Sequence, residues 1–173
     1  MTDTAKLRTR AATRGDASAI AAIYNEGIAD RIATFETEPR SATDIAGWFT
    51  GEHLVVVAET RETGPVAFAA SFPYSSRPCY RGIGEFSVYV TRNHRGRGAG
   101  RAVLAALIER AKAAGLHKLT SRVFPENTAS RGLLKGLGFE EIGIHRRHGQ
   151  LDGRWRDCVI VERLLYAGAA EGR

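Results

Sequence analysis

Glu85-Phe86-Ser87-Val88-Tyr89-Val90-Thr91-Arg92-Asn93-His94-Arg95-Gly96-Arg97-Gly98-Ala99-Gly100-Arg101 joins a strand to a helix through a glycine-rich turn, and this stretch decides the fold. Its first half belongs to a strand over Ile83 to Thr91. Phe86, Val88 and Val90 fall on one face by the period of two, and Glu85, Ser87 and Tyr89 on the other. Its second half sets three glycines among arginines and leads directly into a helix. Val103, Leu104, Leu107, Ile108 and Ala111 form one apolar stripe on that helix, and Gly115 can end it. Gly96, Gly98 and Gly100 let backbone N–H groups turn toward one point without a Cβ in the way. A helix N-terminus directly behind them adds donors and partial positive charge. This is a site for phosphate, most simply a diphosphate. The spacing G-x-G-x-G is not G-x-G-x-x-G, and no Gly-Lys-Ser/Thr follows as in nucleotide hydrolases. Three glycines alone serve equally well as plain turn formers; Arg92, Arg95, Arg97 and Arg101 tip the balance toward phosphate.

On the N-terminal side, Leu7 to Ala11 reads as a strand and Thr13 to Asp16 as a helix start, with Asp16 able to cap. Ala19, Ile20, Ile23 and Tyr24 follow at helical spacing, and Gly27 is near that helix's end. A polar loop, Arg31 to Arg40, carries Phe35. Ser41 to Asp44 then opens a short helix through Trp48 and Phe49 in a capping-box pattern. Leu54 to Glu59 and Pro65 to Ser71 form a hairpin around Thr60 to Gly64, and Phe72 to Arg81 is a loop. On the C-terminal side come a strand over Lys118 to Val123 and a helix over Asn127 to Leu137. Two more strands lie near Glu140 to Arg146 and Arg156 to Leu165, joined through Gly149 to Gly153. Ala167 to Arg173 is a small, polar tail expected to fray. The expected class is α/β: a central mixed, mostly antiparallel sheet flanked by helices. One domain spans 1–173, with an ordered core over residues 6–166.

With 173 residues and 43% of them hydrophobic, the chain builds a core without metal or disulfide. Twenty-five Lys and Arg against 19 Asp and Glu leave +6, which calls for an anionic partner: phosphate, nucleic acid or a small acid. Apolar runs such as Leu54 to Ala58 are too short to span a bilayer, and Met1 to Arg10 has no apolar signal core. No membrane partner and a cytoplasmic location are therefore expected. Cys79 and Cys158 belong to no CxxC or Cys/His cluster, so two free thiols and no metal are expected. His94, His117, His145 and His148 lack metal-ligand spacing, and Arg146-Arg147-His148 reads as a solvated basic face.

Arg95-Gly96-Arg97-Gly98-Ala99-Gly100 matches the R/Q-x-x-G-x-G/A acetyl-CoA motif of the GNAT acyltransferases. Ser87 to Val90, Asn127 to Ser130 and Leu137-Gly138-Phe139 resemble the same superfamily, and the likeness runs from Arg8 to Leu165. Within it, the chain resembles the phosphinothricin, methionine sulfoximine and arsinothricin acetyltransferases. That likeness is carried by Ile23-Tyr24-Asn25, Pro78-Cys79-Tyr80-Arg81, Glu85 to Val90 and Gly153 to Asp157. The resemblance implies the GNAT-like acyl-CoA N-acyltransferase fold, acetyl-CoA as co-substrate, no metal, and a homodimer. It implies that the backbone of Val88, Tyr89 and Val90 bonds the pantetheine amides. Arg95, Gly96, Arg97, Gly98, Ala99, Gly100 and Arg101 would hold the diphosphate, with Asn127 and Ser130 farther along. Glu85 is the implied general base, since an amine must lose a proton before attacking a thioester. Tyr74, Arg77, Tyr80 and Arg81, with Phe35, are candidates for the wall of an acceptor pocket, where arginine clasps an acidic group. In two places the chain departs from the family pattern. Ser75 stands where many members carry a second arginine, and Leu134 where many carry a Tyr or His that protonates the leaving thiolate.

The function expected is transfer of acetyl from acetyl-CoA to the amino group of a small amino-acid-like acid, such as phosphinothricin or methionine sulfoximine. Attack is direct, because neither cysteine has an activating base. Resistance-type acetyltransferases and general amino-acid acetylators share these motifs. The acceptor amine of a protein N-terminus, a polyamine or an antibiotic is the alternative within the same chemistry. A basic nucleic-acid-binding module is the alternative of another class. The basic loop lacks interleaved aromatics, and no helix carries a continuous basic face, so nucleic acid is not expected as a partner.

Overall fold

The strand that carries Glu85 lies in the middle of a seven-stranded sheet. The computed structural model describes residues 7–166, so the expected fraying of Ala167 to Arg173 falls outside the described residues. In chain order the elements are β1 (Arg8–Ala11), α1 (Ala17–Asp30), α2 (Ala42–Ala46), β2 (Leu54–Thr60), β3 (Gly64–Pro73) and β4 (Ile83–Val90). Then follow α3 (Ala99–Ala113), β5 (Lys118–Val123), α4 (Thr128–Gly136), β6 (Glu140–Leu151) and β7 (Arg154–Leu164). The sheet order is β1-β2-β3-β4-β5-β7-β6. Only β4 and β5 run parallel; every other neighbouring pair is antiparallel. The mixed, mostly antiparallel α/β sheet expected from the element order is the one observed.

Both faces of the sheet are covered, which is why β2 is apolar at consecutive positions. Val56 and Ala58 pack on one face against Val103, Leu104, Leu107 and Ile108 of α3. Val55 and Val57 pack on the other against Ile20 and Ile23 of α1 and Ile45 of α2. The stripe on α3 is buried as its spacing requires, and Gly115, at φ 82°, ends that helix.

α1 ends at Asp30, within a turn of Gly27, with Arg31 left-handed at φ 58°. Two elements run differently from the sequence expectation. β3 continues to Pro73, because Phe72 and Pro73 pair with Glu85 and Gly84. β6 does not end at Arg146 but runs to Leu151, absorbing two register shifts, one between His145 and Gly149. A period-two pattern cannot register such bulges.

Asp16 does not cap α1. Its carboxylate accepts from Arg10 at 2.7 and 2.9 Å and from the Thr13 N–H at 2.8 Å. Arg10 also donates to Glu59 at 2.9 Å, so one guanidinium ties β1, β2 and the entry to α1. The Arg10 hydrogen bonds hold the Asp16 carboxyl down to about 2. A carboxyl lowered by folding stabilises above its ordinary value near 3.8 and loses that contribution as pH falls toward 2. The Asp16 side chain is only 10% exposed, so screening is weak. Asp16→Asn is expected to cost about 2 kcal/mol at pH 7 in urea unfolding and to flatten the pH dependence of stability between pH 4 and 2. The same slope in both proteins would show that Asp16 is not the titrating group.

Candidate active site

β4 and β5 pair only from Ile83↔Lys118 to Glu85↔Thr120 and then part. At the fork, the Ser121 hydroxyl donates to the Phe86 carbonyl at 2.7 Å. The Thr91 N–H donates to Val66 of β3 at 2.9 Å, so alternate residues back from Thr91 face β3. The Val90 carbonyl, by contrast, accepts from Arg95 Nε at 3.1 Å. Phe86, Val88 and Val90 therefore turn their backbone groups into the opening left by β5. This is an open strand edge inside a sheet, the kind of edge that an extended chain can join. Tyr89 differs from its neighbours. Its backbone faces Phe68 of β3, so what it brings to the opening is its ring.

A cavity of about 320 Å³ follows this edge and is lined by Val88, Val90, Gly96, Gly98, Gly100 and Arg101, among others. It continues through Val88, Asn127 and Ser130 into a second cavity of about 510 Å³ that reaches Glu85. A third, of about 680 Å³, meets the second at Glu85, Ser121 and Arg122 and opens toward Tyr74, Arg77 and Tyr80.

Gly96 and Gly98 stand at φ 71° and 85°, and Gly98 is the N-cap of α3. Apart from the flanking residues, no protein atom lies within 4 Å of where a Cβ would project from either. Glycine is required here by the backbone conformation, and the space beside it is open. The first intrahelical bond of α3 runs from Ala102 to Gly98, which leaves the amides of Ala99, Gly100 and Arg101 without helix partners. Free amides, open space and a strand edge together fit an extended molecule that carries a diphosphate.

The arginines divide the work of this loop. Arg92 and Arg95 both pair with Asp30 at 2.7 Å, bracing the loop on the end of α1. Arg92, ahead of Arg95, holds the Asp30 carboxyl below its usual range. Arg95 and Arg101 line the cavity beside the glycines, whereas Arg97 is exposed and lines none of the three cavities. Asn127 caps α4 by accepting from the Ser130 N–H at 3.2 Å and donates to the Ile32 carbonyl at 3.2 Å, which ties the Arg31 to Arg40 loop to α4.

Glu85 has a partner that the sequence reading does not include: Arg122 of β5 donates to its carboxylate through Nη2. Arg122 Nη1 also lies 3.2 Å from His148 Nε2. Arginine only donates, so Nε2 accepts and His148 is neutral with its proton on Nδ1. Burial, then His145 and Arg122, lower the His148 pKa in agreement with this. The bulge in β6 at Arg147, φ 46°, carries His148 to the cavity, so this residue is not part of a plain solvated face. Gly149 follows it because the Phe35 ring passes 2.8 Å from where its Cβ would lie. Phe35 meets Phe124 edge-on at 4.9 Å and walls the second cavity.

Tyr74 and Tyr80 pack edge-on at 5.6 Å, and Arg77 lies 5.7 Å from the Tyr80 ring. All three share a cavity with Glu85. Arg81 does not; it lines a separate hollow with Glu52 and His53. Leu134 is buried in the cavity wall. Cys158 lines the same cavity, but burial pushes its thiol up, away from the reactive thiolate. Among the described residues no three His, Cys, Asp or Glu side chains are grouped to hold a metal ion, and no helix is long and apolar enough to cross a membrane.

The sequence profile of the Acetyltransferase (GNAT) family matches residues 20–139. An L-methionine sulfoximine/L-methionine sulfone acetyltransferase of Pseudomonas paraeruginosa is 34% identical over 151 residues, which cover 85% of this chain and 88% of that protein. A phosphinothricin N-acetyltransferase of Streptomyces coelicolor is 30% identical over 171 residues, 95% of this chain and 100% of its own. The fold matches the crystal structure of a GNAT superfamily phosphinothricin acetyltransferase from Sinorhizobium meliloti in complex with acetyl-CoA. The TM-score is 0.86 at 29% identity, covering 96% of this chain and 94% of that one.

The far wall of the opening rests on Gly27. The Tyr89 ring stacks on Phe68 at 5.4 Å and lies 4.9 Å from the Tyr24 ring, and a Cβ on Gly27 would come within 2.6 Å of it. Gly→Ala inside a helix ordinarily stabilises by about 0.5–1 kcal/mol. Here the overpacking is expected to win, with Gly27→Ala lowering stability by about 1–2 kcal/mol in thermal unfolding. A raised melting temperature would mean that the ring moves aside freely.

Proposed function

The chain belongs to the GNAT acetyltransferase family and is an N-acetyltransferase; on that premise we propose that it transfers acetyl from acetyl-CoA to the amino group of a small amino-acid-like acid, with Glu85 as general base. One observation carries this reading: the open edge of β4 and the Glu85 carboxylate lie in one continuous cleft. In it, Val88 and Val90 offer backbone groups to the amides of the pantetheine arm. The amides of Ala99, Gly100 and Arg101 face the diphosphate, with Gly96 and Gly98 keeping the approach clear and Arg95 and Arg101 adding charge. Asn127 and Ser130 line the passage between the two ends. Bound there, acetyl-CoA supplies an acetyl group activated as a thioester.

Glu85 stands where β4 and β5 part, beside the passage toward Val88, and takes the proton that an ammonium group must lose to become a nucleophile. Phe35, Tyr74, Arg77 and Tyr80 wall the acceptor side. Arg77, Lys118 and Arg122 outnumber Glu85 and Glu162 on that side, and Arg77 has no carboxylate partner there, a balance that suits an acid. The relatives named for methionine sulfoximine and phosphinothricin support an acceptor of this size and charge. The buried, raised thiol of Cys158 speaks for direct transfer rather than an acyl-enzyme. Asp30, held by Arg92 and Arg95, sets a carboxylate within the stretch that would have to act as a nucleic-acid surface.

Glu85→Gln is expected to lower kcat by about 10²-fold or more and to remove the acid limb of the pH–rate profile. Acetyl-CoA affinity by calorimetry should stay within about twofold, since the diphosphate and pantetheine contacts are elsewhere. A variant that keeps the wild-type pH profile would exclude Glu85 as the base. A wild-type protein stabilised by DNA or RNA but not by acetyl-CoA in thermal melting would overturn the enzyme reading.

A further inference from the structure

We infer that Glu85 and Arg122 together form the receptor for the zwitterionic head of an α-amino acid, Arg122 taking the acceptor's carboxylate and thereby releasing Glu85 to its ammonium group. This rests on the acetyltransferase reading and narrows its acceptor.

The two side chains reach across the fork of β4 and β5 and stand at the junction of the cleft toward Val88 and the cavity toward Arg77. An α-amino acid carries an ammonium and a carboxylate on one carbon. Placed against a touching carboxylate and guanidinium, each of its groups finds an opposite charge. One ion pair within the protein is then exchanged for two with the ligand. A plain amine, a polyamine or a protein N-terminus has no carboxylate on that carbon and makes only one.

The pair is also built to part. Its side chains are 43% and 36% exposed, and an ion pair that exposed is worth little. The hydrogen bond joins one guanidinium nitrogen to one carboxylate oxygen, which leaves further donors of the planar fork for a bidentate carboxylate. His148 holds Arg122 through Nη1, so the guanidinium stays in place when Glu85 leaves it. A neutral His148 adds no charge that competes for the ligand's acid. Arg77, over the Tyr80 ring in the same cavity, is left for the acceptor's own side chain.

The exchange controls the chemistry. While Arg122 holds Glu85, the guanidinium occupies a carboxylate oxygen that an ammonium group would otherwise donate to. Once the ligand's carboxylate has taken Arg122, one proton passes from the ammonium nitrogen to a Glu85 oxygen. The N–H electron pair remains on nitrogen as the attacking lone pair. An acceptor without the acid leaves the base clamped.

The test compares L-methionine sulfone with its primary carboxamide. Calorimetry on protein saturated with CoA, which cannot donate acetyl, reads binding alone. The wild-type protein should bind the acid about tenfold or more tightly than the carboxamide. Arg122→Gln should weaken the acid by about 10- to 100-fold and leave carboxamide and CoA affinity within about twofold. Arg122→Lys, which keeps the charge but not the fork, should restore part of the preference. With acetyl-CoA, Arg122→Gln should acetylate the carboxamide about two- to fivefold faster than the wild type, the factor set by freeing one exposed ion pair. Equal wild-type affinity for the two compounds, a parallel loss of both in Arg122→Gln, or no gain on the carboxamide would overturn the assignment and leave the acetyltransferase reading intact. A wild-type protein that binds acetyl-CoA but neither binds nor acetylates either compound would instead defeat the amino-acid acceptor, and this assignment with it.

Discussion

Backbone groups in the interior must be paired, and β4 pairs with β5 for only three residues. Everything at the site is arranged around that shortage. The Ser121 hydroxyl satisfies the Phe86 carbonyl at the fork, and Arg95 reaches back to the Val90 carbonyl at its far end. Between them, Val88 keeps an open edge in the middle of the sheet. Helices on both faces shield this edge from the strand-to-strand association that threatens exposed sheet edges. α3 begins where the opening ends, so its free amides continue the row of donors that β4 starts. The Asp30 carboxylate fixes that arrangement by holding Arg92 and Arg95 against α1.

Local periodicity revealed what depends on local geometry. The stripe on α3 follows from spacing alone and is found as read. The loop's need for glycine backbone was legible; Gly96 and Gly98 meet it at φ 71° and 85°, whereas Gly100 lies within α3. Long-range pairing was not legible. Arg122 is ordinary in sequence, an arginine on a short strand, until the parallel register sets Thr120 beside Glu85 and the period of two puts Arg122 on the same face. His148 hides in a basic run because only the bulge in β6 turns it to the cavity. Asp16 illustrates the same limit on a smaller scale. A helix-start residue was recognised, but its partner Arg10 makes it a tie between strands and helix rather than a cap.

The 25 lysines and arginines divide into separate tasks. Arg10, Arg92 and Arg131 are spent on carboxylates of the fold, at Asp16, Asp30 and Glu141. Arg95 and Arg101 stand beside the helix start, and Arg77 and Arg122 stand on the far side of Glu85. Two anionic groups thus have places about one carboxylate, the diphosphate of the donor on one side and the acid of the acceptor on the other. The negative charge of Glu85 between them is what an ammonium group needs.

Amide hydrogen exchange with and without acetyl-CoA tests the open edge directly. The Val88 amide and those of Gly100 and Arg101 should exchange markedly more slowly when acetyl-CoA is bound, while the amides that pair β2 with β3 stay as they were. Unchanged exchange at Val88 under saturating acetyl-CoA, with protection appearing elsewhere, would contradict the claim that the gap between β4 and β5 is where the donor binds.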